Sequence, residues 1–184
     1  MSLTYSKMLP LGTKIPSFKL TNVINNKIYS EANLPMGLGT VVMIICNHCP
    51  YVIHYHDQIR SLVSKYQSCN IQFIAISSND TINYPQDSPE KMNFLFKKLE
   101  LNIPYLYDES QEVAKLFMAE CTPEFYLFDH KKKLIYRGRM DSSSPGNDFD
   151  INGEDLRNAI DSFISKKKIS DKQFPSMGCN IKWK

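Results

Sequence analysis

Thr40-Val41-Val42-Met43-Ile44-Ile45-Cys46-Asn47-His48-Cys49-Pro50 is the stretch that decides how this chain folds. Its first six residues form a short, continuous, partly β-branched apolar run, the pattern of a strand buried on both faces. Pro50 suits the first position of a helix, where its missing N–H costs nothing. Beyond it Val52, Tyr55, His56, Ile59, Leu62, Val63 and Tyr66 recur at three- and four-residue spacing, leaving His54, Asp57, Arg60, Ser61 and Lys65 for water. The reading is a strand over 41–45 that runs into a helix over 50–68, with two cysteines at the junction. Cys-x-x-Cys placed there sets two thiols to exchange a disulfide, because a helix N-terminus favours the thiolate and the pair can close on itself. Five cysteines in 184 residues make the bare spacing weak evidence by itself, so its context carries the argument.

A second apolar run, 71–76, completes a strand-helix-strand unit and predicts a parallel crossover. Upstream, 15–30 alternates around Asn25-Asn26 and reads as a β-hairpin ahead of the main sheet. Ser88-Pro89-Glu90 opens another helix, with Ser88 as N-cap and Phe94, Leu95 and Leu99 expected on one apolar face. A short strand over 104–107 and a helix over 111–118 follow. The runs 125–128 and 134–137 flank a polar turn and predict an antiparallel hairpin; a helix over 154–165 closes the set. The stretch 171–184 shows little periodicity and reads as a tail. The fold class is α/β with a mixed central sheet, in one domain over 1–184 with its core at about 10–168 and its tail at 169–184.

At 42% hydrophobic residues the chain can bury one good core. No run reaches the length of a membrane span, and the polar start (Ser2, Thr4, Tyr5, Ser6, Lys7) lacks the shape of a signal peptide. The expectation is a soluble, cytoplasmic protein that binds neither membrane nor nucleic acid. The net charge is only +3, and the runs Lys131–Lys133 and Lys166–Lys168 fall at a turn and a helix C-terminus. An odd cysteine count in a reducing compartment points to reactive or simply buried thiols.

A parallel β-α-β carrying Cys-x-x-Cys, then an antiparallel hairpin entered through Thr122-Pro123, resembles the thioredoxin fold. In that fold the proline before the hairpin is cis and lies beside the two sulfurs, which makes Thr122-Pro123 the expected cis bond. More narrowly, CNHCPY, CTPEFYLFD and the C-terminal GCNIKWK resemble the peroxiredoxin-like branch of the thioredoxin superfamily, grouped with the alkyl hydroperoxide reductase and thiol-specific antioxidant proteins. The resemblance implies redox chemistry with no cofactor, on a disulfide-bearing protein or small thiol, or on a hydroperoxide. It leaves the oligomeric state open.

Cys46 is then the expected attacking thiolate, as the more exposed sulfur, and Cys49 the one that resolves the mixed disulfide. His48 resembles the histidine of the strongly oxidising DsbA-type motif, where a positive imidazole would stabilise the thiolate; otherwise it faces solvent. Thr122 and Pro123 pack beside the pair. Cys121 is either a third redox sulfur or a buried strand residue. Cys179 belongs to a docked tail, and Cys69 reads as structural. His56 should be a satisfied core histidine and His54 a surface one, so no metal site is expected. Asn79, Asp80, Tyr84 and Asp87 follow the second strand and read as a turn more than as substrate contacts.

Disulfide exchange leads over peroxide reduction. In the peroxiredoxin pattern Cys49-Pro50 would take the peroxidatic place and Cys46 the position of a Thr or Ser. The upstream Pro falls at Val42, and the activating Arg is replaced by Thr122-Pro123, which removes charge from where an oxyanion would develop. A non-catalytic binding module and a thioredoxin-fold metal chaperone are lesser alternatives. Thr40 stands where thioredoxin has a buried acid, so no proton acceptor for Cys49 is legible.

Overall fold

The computed structural model describes residues 3–34 and 37–184; Ser2 of the polar start lies outside them. In chain order the elements are β1 (Leu3–Tyr5), β2 (Lys19–Asn22), β3 (Ile28–Ser30), β4 (Gly39–Ile44), α1 (Pro50–Ile53), α2 (His56–Gln67) and β5 (Ile71–Ser77). After a 3-10 turn at Pro85–Asp87 come α3 (Pro89–Lys98), β6 (Tyr105–Tyr107), α4 (Glu112–Leu116), β7 (Cys121–Thr122), β8 (Glu124–Asp129), β9 (Leu134–Gly138), α5 (Glu154–Ile164) and β10 (Met177–Asn180).

A seven-stranded mixed sheet in the order β3-β2-β6-β5-β4-β8-β9 forms the frame. β4 lies inside it, parallel to β5 and antiparallel to β8. Its side chains alternate between two apolar layers: Val41, Met43 and Ile45 face one together with Ile59, Leu62 and Phe96, while Val42 and Ile44 face the other with Phe117 and Tyr126. That double burial explains why the strand reads as an unbroken apolar run. This is the thioredoxin-like α/β arrangement, with helices against a mixed central sheet.

Several local expectations change. The hairpin starts at Lys19, not near residue 15, and β2 pairs with β6, so it is the edge of the main sheet and not a unit ahead of it. The helix expected over 50–68 breaks at His54–Tyr55. No Gly or Pro causes this. The Tyr55 hydroxyl donates to Asp141 (2.8 Å) and His54 Nε2 meets Ser143 Oγ (2.9 Å), so a loop 86–89 residues downstream fixes the bend. On α3 the buried stripe is Met92 and Phe96, with Leu99 packed partly beside them; Phe94 is 67% exposed. The spacing of four and three residues continues from Met92, which puts Phe94 on the far side of the helix.

The largest correction concerns the tail. Residues 177–180 are a strand, and β1-β10-β7 form a second, three-stranded antiparallel sheet. Met-Gly-Cys-Asn has no β-branched residue and no alternation, and its pairing partners lie at the opposite end of the chain and beside Pro123. Among the described residues no helix is long and apolar enough to cross a membrane.

Candidate redox site

β4 ends one residue short of Ile45, and Cys46 follows directly, so the sheet delivers the first sulfur to the C-terminal edge of its central strands. Cys49 is the N-cap of α1. Contrary to the exposure expected for Cys46, both side chains are buried, at 1% and 0%. α1 is a single turn, so little macrodipole stands behind these sulfurs and hydrogen bonds set their ionisation. The bond between the two sulfurs, with further ones from Cys179 and Thr122, pulls Cys49 down to about 5. Cys46 is pushed well up by the same bond, by burial and by the Asp87 charge. The pair therefore gives up its first proton easily and its second with difficulty. A further contact bears on which sulfur keeps the remaining proton. Cys49 Sγ donates to the Thr122 carbonyl at 3.2 Å, whereas Cys46 Sγ lies 3.4 Å from the Thr122 hydroxyl, which can donate to it. A Cys49 thiolate would face that carbonyl oxygen without a proton between them, so we place the proton on Cys49 and the charge on Cys46.

Asp87 organises the other side. It is fully buried; its Oδ1 accepts the backbone N–H groups of Asn47 (2.8 Å) and His48 (3.3 Å), and its Oδ2 accepts from Asn79 Nδ2 (2.7 Å). His48 Nδ1 lies 2.6 Å from Oδ2, and its ring stacks on Tyr84. The Cys46 sulfur, a His48 ring nitrogen and an Asp87 oxygen all lie within 4.8 Å of one another. Sulfur, nitrogen and oxygen so close are ligand types that can hold a metal, and in this structure they bond to one another and to their surroundings: both Asp87 oxygens accept hydrogen bonds and His48 Nδ1 meets Oδ2. The set is built as a histidine held by a carboxylate beside a thiol.

The Thr122–Pro123 peptide bond is cis, as expected. β10 runs antiparallel to β7 directly beside it, with Cys179 opposite Thr122 and Asn180 opposite Cys121. A Cβ on Gly178 would lie 2.0 Å from the Thr122 carbonyl oxygen, so only glycine permits this approach. Through it the Cys179 thiol and its backbone N–H both reach Cys49. Burial, then the bond to Cys49, raises Cys179 to about 12, and Lys182 works against that rise. Cys121 turns elsewhere: its sulfur lies 3.5 Å from Glu124 Oε1, and burial and that carboxylate push its ionisation far up.

The sequence profile of the AhpC/TSA family matches residues 11–137, well over half of the chain. The chain belongs to the AhpC/TSA family. Two solved structures resemble this AhpC/TSA protein over nearly its full length. An uncharacterized conserved protein from Geobacillus kaustophilus is 44% identical, with a TM-score of 0.97 over 100% of this chain and 97% of that one. A hypothetical protein from Sinorhizobium meliloti 1021 is 35% identical, with a TM-score of 0.95 over 98% of each chain. A secreted Mycobacterium tuberculosis disulfide oxidoreductase shares the fold at 13% identity, with a TM-score of 0.60 over 79% of this chain and 95% of that one. No curated protein matched.

Of the residues singled out from the sequence, the AhpC/TSA fold brings Cys46, Cys49, His48, Thr122 and Pro123 together, and sets Cys121 one strand position away with its sulfur on Glu124. Three further residues, named from the sequence without a role in the redox site, belong here. Asp87 and Asn79 were read as turn residues, yet both are buried, and Asn79 Oδ1 also accepts the N–H of Lys182 (2.9 Å). Cys179 was read as part of a docked tail. Their only sequence signals are a polar Ser78-Asn79-Asp80 after an apolar strand and a Gly178-Cys179 pair. Two further histidines also differ from expectation: His54 is bonded to Ser143, and His56 Nε2 is buried without a partner. Cys69 is exposed.

Proposed function

We propose that this chain is a thiol-disulfide oxidoreductase in which Cys46 and Cys49 cycle between dithiol and disulfide. The observation that carries the reading is two buried sulfurs on the same residue of cis Thr122–Pro123, Cys49 donating to the Thr122 carbonyl (3.2 Å) and Cys46 lying 3.4 Å from its hydroxyl. In the reducing direction the Cys46 thiolate attacks a substrate disulfide and one substrate sulfur leaves as thiolate. Cys49 then gives its proton to that leaving side and attacks Cys46, forming Cys46–Cys49 and releasing the substrate as a dithiol. Two electrons and the one proton of Cys49 pass to the substrate, and the second substrate sulfur leaves Cys46 as a thiolate that takes its proton from water. His48, held by Asp87, stands beside Cys46 to offset the thiolate charge when its ring is protonated. A groove lined by Tyr5, Tyr55, Pro123, Phe125, Met140 and Phe174 opens next to the proline and suits an apolar side chain of a disulfide-bearing protein. The direction of electron flow follows from the compartment, which we take to be the cytoplasm, and there the chain would act as a reductant.

Peroxide reduction is the second reading, favoured by the lowering of Cys49 through a bond from Cys46. The guanidinium nearest to hand is engaged elsewhere: Arg139 lines the groove beside Pro123 but donates to Asp155, and Arg137 is bonded to Gln173. Oxidation with one equivalent of oxidised glutathione or of hydrogen peroxide, with rates followed and disulfides mapped by peptide mass spectrometry, separates the two. Fast Cys46–Cys49 formation from glutathione and slow formation from peroxide is expected. A peroxide reaction that outruns the glutathione reaction and gives a Cys49 sulfenic acid would replace the first reading with the second.

A further inference from the structure

Five thiols lie in this chain, and exchange between Cys46 and Cys49 leaves three unused. Cys69 is exposed on the far end of α2, bonded only to local groups, and Cys121 is held by Glu124. Cys179 differs from both. Its thiol and its N–H are both hydrogen-bonded to Cys49, and it reaches that position on an extended strand paired beside the cis proline.

We infer that Cys179 is a third redox sulfur, which takes the disulfide over from Cys46–Cys49 to give Cys49–Cys179 and return Cys46 to the thiolate state. The inference rests on the exchange reading above and extends it. Cys179 gives its proton to water and its sulfur attacks that of Cys49; the Cys49–Cys179 bond forms as the Cys46–Cys49 bond breaks. The electron pair leaves with Cys46, which the Thr122 hydroxyl and the His48 ring can accommodate. No electrons enter or leave the protein, so no reductant is consumed. One oxidising equivalent moves under the tail strand while Cys46 is freed for another encounter.

Three observations support the step. β10 is tied down on both edges, by β1 and by β7, and its exit is tied as well: Lys182 N–H to Asn79, Lys182 carbonyl to Asp80 N–H and Gln111, and Lys184 N–H to Gln111. Such anchoring holds a sulfur in place for attack and reduces the entropy lost at the transition state. Second, Gly178 is required by the approach to Thr122, and that approach is what brings Cys179 to Cys49. Third, the bond to Cys49 is, after burial, the main cause that holds the Cys179 proton, and it is lost once Cys49 is in a disulfide. Lys182 then acts on Cys179 with only burial opposing it.

The test is acid-quenched disulfide mapping of full-length wild type, Cys46→Ser, Cys179→Ser and Cys179→Ala, each treated with one equivalent of oxidised glutathione. Wild type should show Cys46–Cys49 early and gain Cys49–Cys179 later, and both Cys179 variants should lose the second linkage. Cys46→Ser, which leaves the tail untouched, should pass from a glutathione mixed disulfide at Cys49 to Cys49–Cys179. If wild type holds Cys46–Cys49 alone and Cys46→Ser stops at the mixed disulfide, the third-sulfur inference fails while the exchange reading stands. If wild type never forms Cys46–Cys49, the exchange reading fails as well. Pairing of Cys49 with Cys121 in Cys46→Ser would overturn the inference in favour of the other thiol.

Discussion

Cys121 on β7 and Cys179 on β10 sit one register position apart in the same small sheet, and both are buried thiols. Cys121 faces a buried carboxylate, Glu124, which is itself held by N–H groups of Glu120 and Cys121 and by the Tyr126 hydroxyl. Cys179 faces another sulfur and has a lysine nearby. Because side chains alternate along each strand, one step of register is enough to send a sulfur to the anion or to the redox pair. Burial matters less here than which charged or polarisable group shares the buried space.

The widest consequence of that difference is in reactivity. At pH 7 a small alkylating reagent should label the Cys46–Cys49 pair on the order of a hundredfold or more faster than Cys121, since the thiolate is the reacting form. The pair's rate should rise through pH about 5 and stay level above it, because the first proton is lost there. Cys121 should stay unlabelled until the protein opens. Mass-resolved labelling from pH 4 to 9 checks this, and equal rates at the two places would remove the electrostatic distinction.

Gly178→Ala attacks the approach of β10 to β7. The added methyl meets a backbone oxygen, so the tail strand must shift, at a cost of roughly 1–3 kcal/mol. Hydrogen exchange should rise at 177–180 and at 121–122 while β4 and β5 keep their protection. Loss of protection across the whole sheet would show that the tail is part of the global core and not a separate layer.

Asn79→Ala removes a side chain that joins Asp87 to the tail, leaving the Lys182 N–H without its acceptor. A cost of about 1–2 kcal/mol in chemical denaturation is expected, since a buried donor is left unsatisfied. Increased exchange at Lys182 is the specific sign, and a stability change without it would place the loss elsewhere.

Glu124→Gln has the smallest expected effect on stability, under about 1 kcal/mol, because the amide keeps an acceptor for the N–H groups. Its effect is on Cys121. Burial raises that thiol first and the Glu124 charge next, so removing the charge should lower its ionisation partway towards the ordinary value near 8.5 and speed its alkylation at pH 9. Unchanged labelling would mean that burial alone protects Cys121.

Legibility followed the range of the interactions. β4, β5, the start of α1 and the β8–β9 hairpin could be read because their apolar patterns reflect burial that is regular along the chain. Cys46, Cys49 and His48 came with them by adjacency, and Thr122-Pro123 through the family resemblance. Asp87 could not be separated from ordinary turn residues, because Asn, Asp and Pro make loops whether or not one carboxylate folds inward. The break at Tyr55 was equally hidden, being set by Asp141 and Ser143 and not by any helix breaker nearby.

The sequence by itself determined the strand-to-helix junction, the two thiols on it and the helical and extended periods around it, since these depend on neighbours within a few residues. Only the tertiary structure decided that Asp87, itself bonded by Asn79, holds His48, that Cys121 turns to Glu124 and that Cys179 reaches Cys49. The contacts of His48 with Asp87 and of Cys179 with Cys49 join residues far apart in the chain, and that of Cys121 with Glu124, three residues away, depends on the burial of both; hydrogen bonds and charge acting through space leave no periodic mark on the sequence.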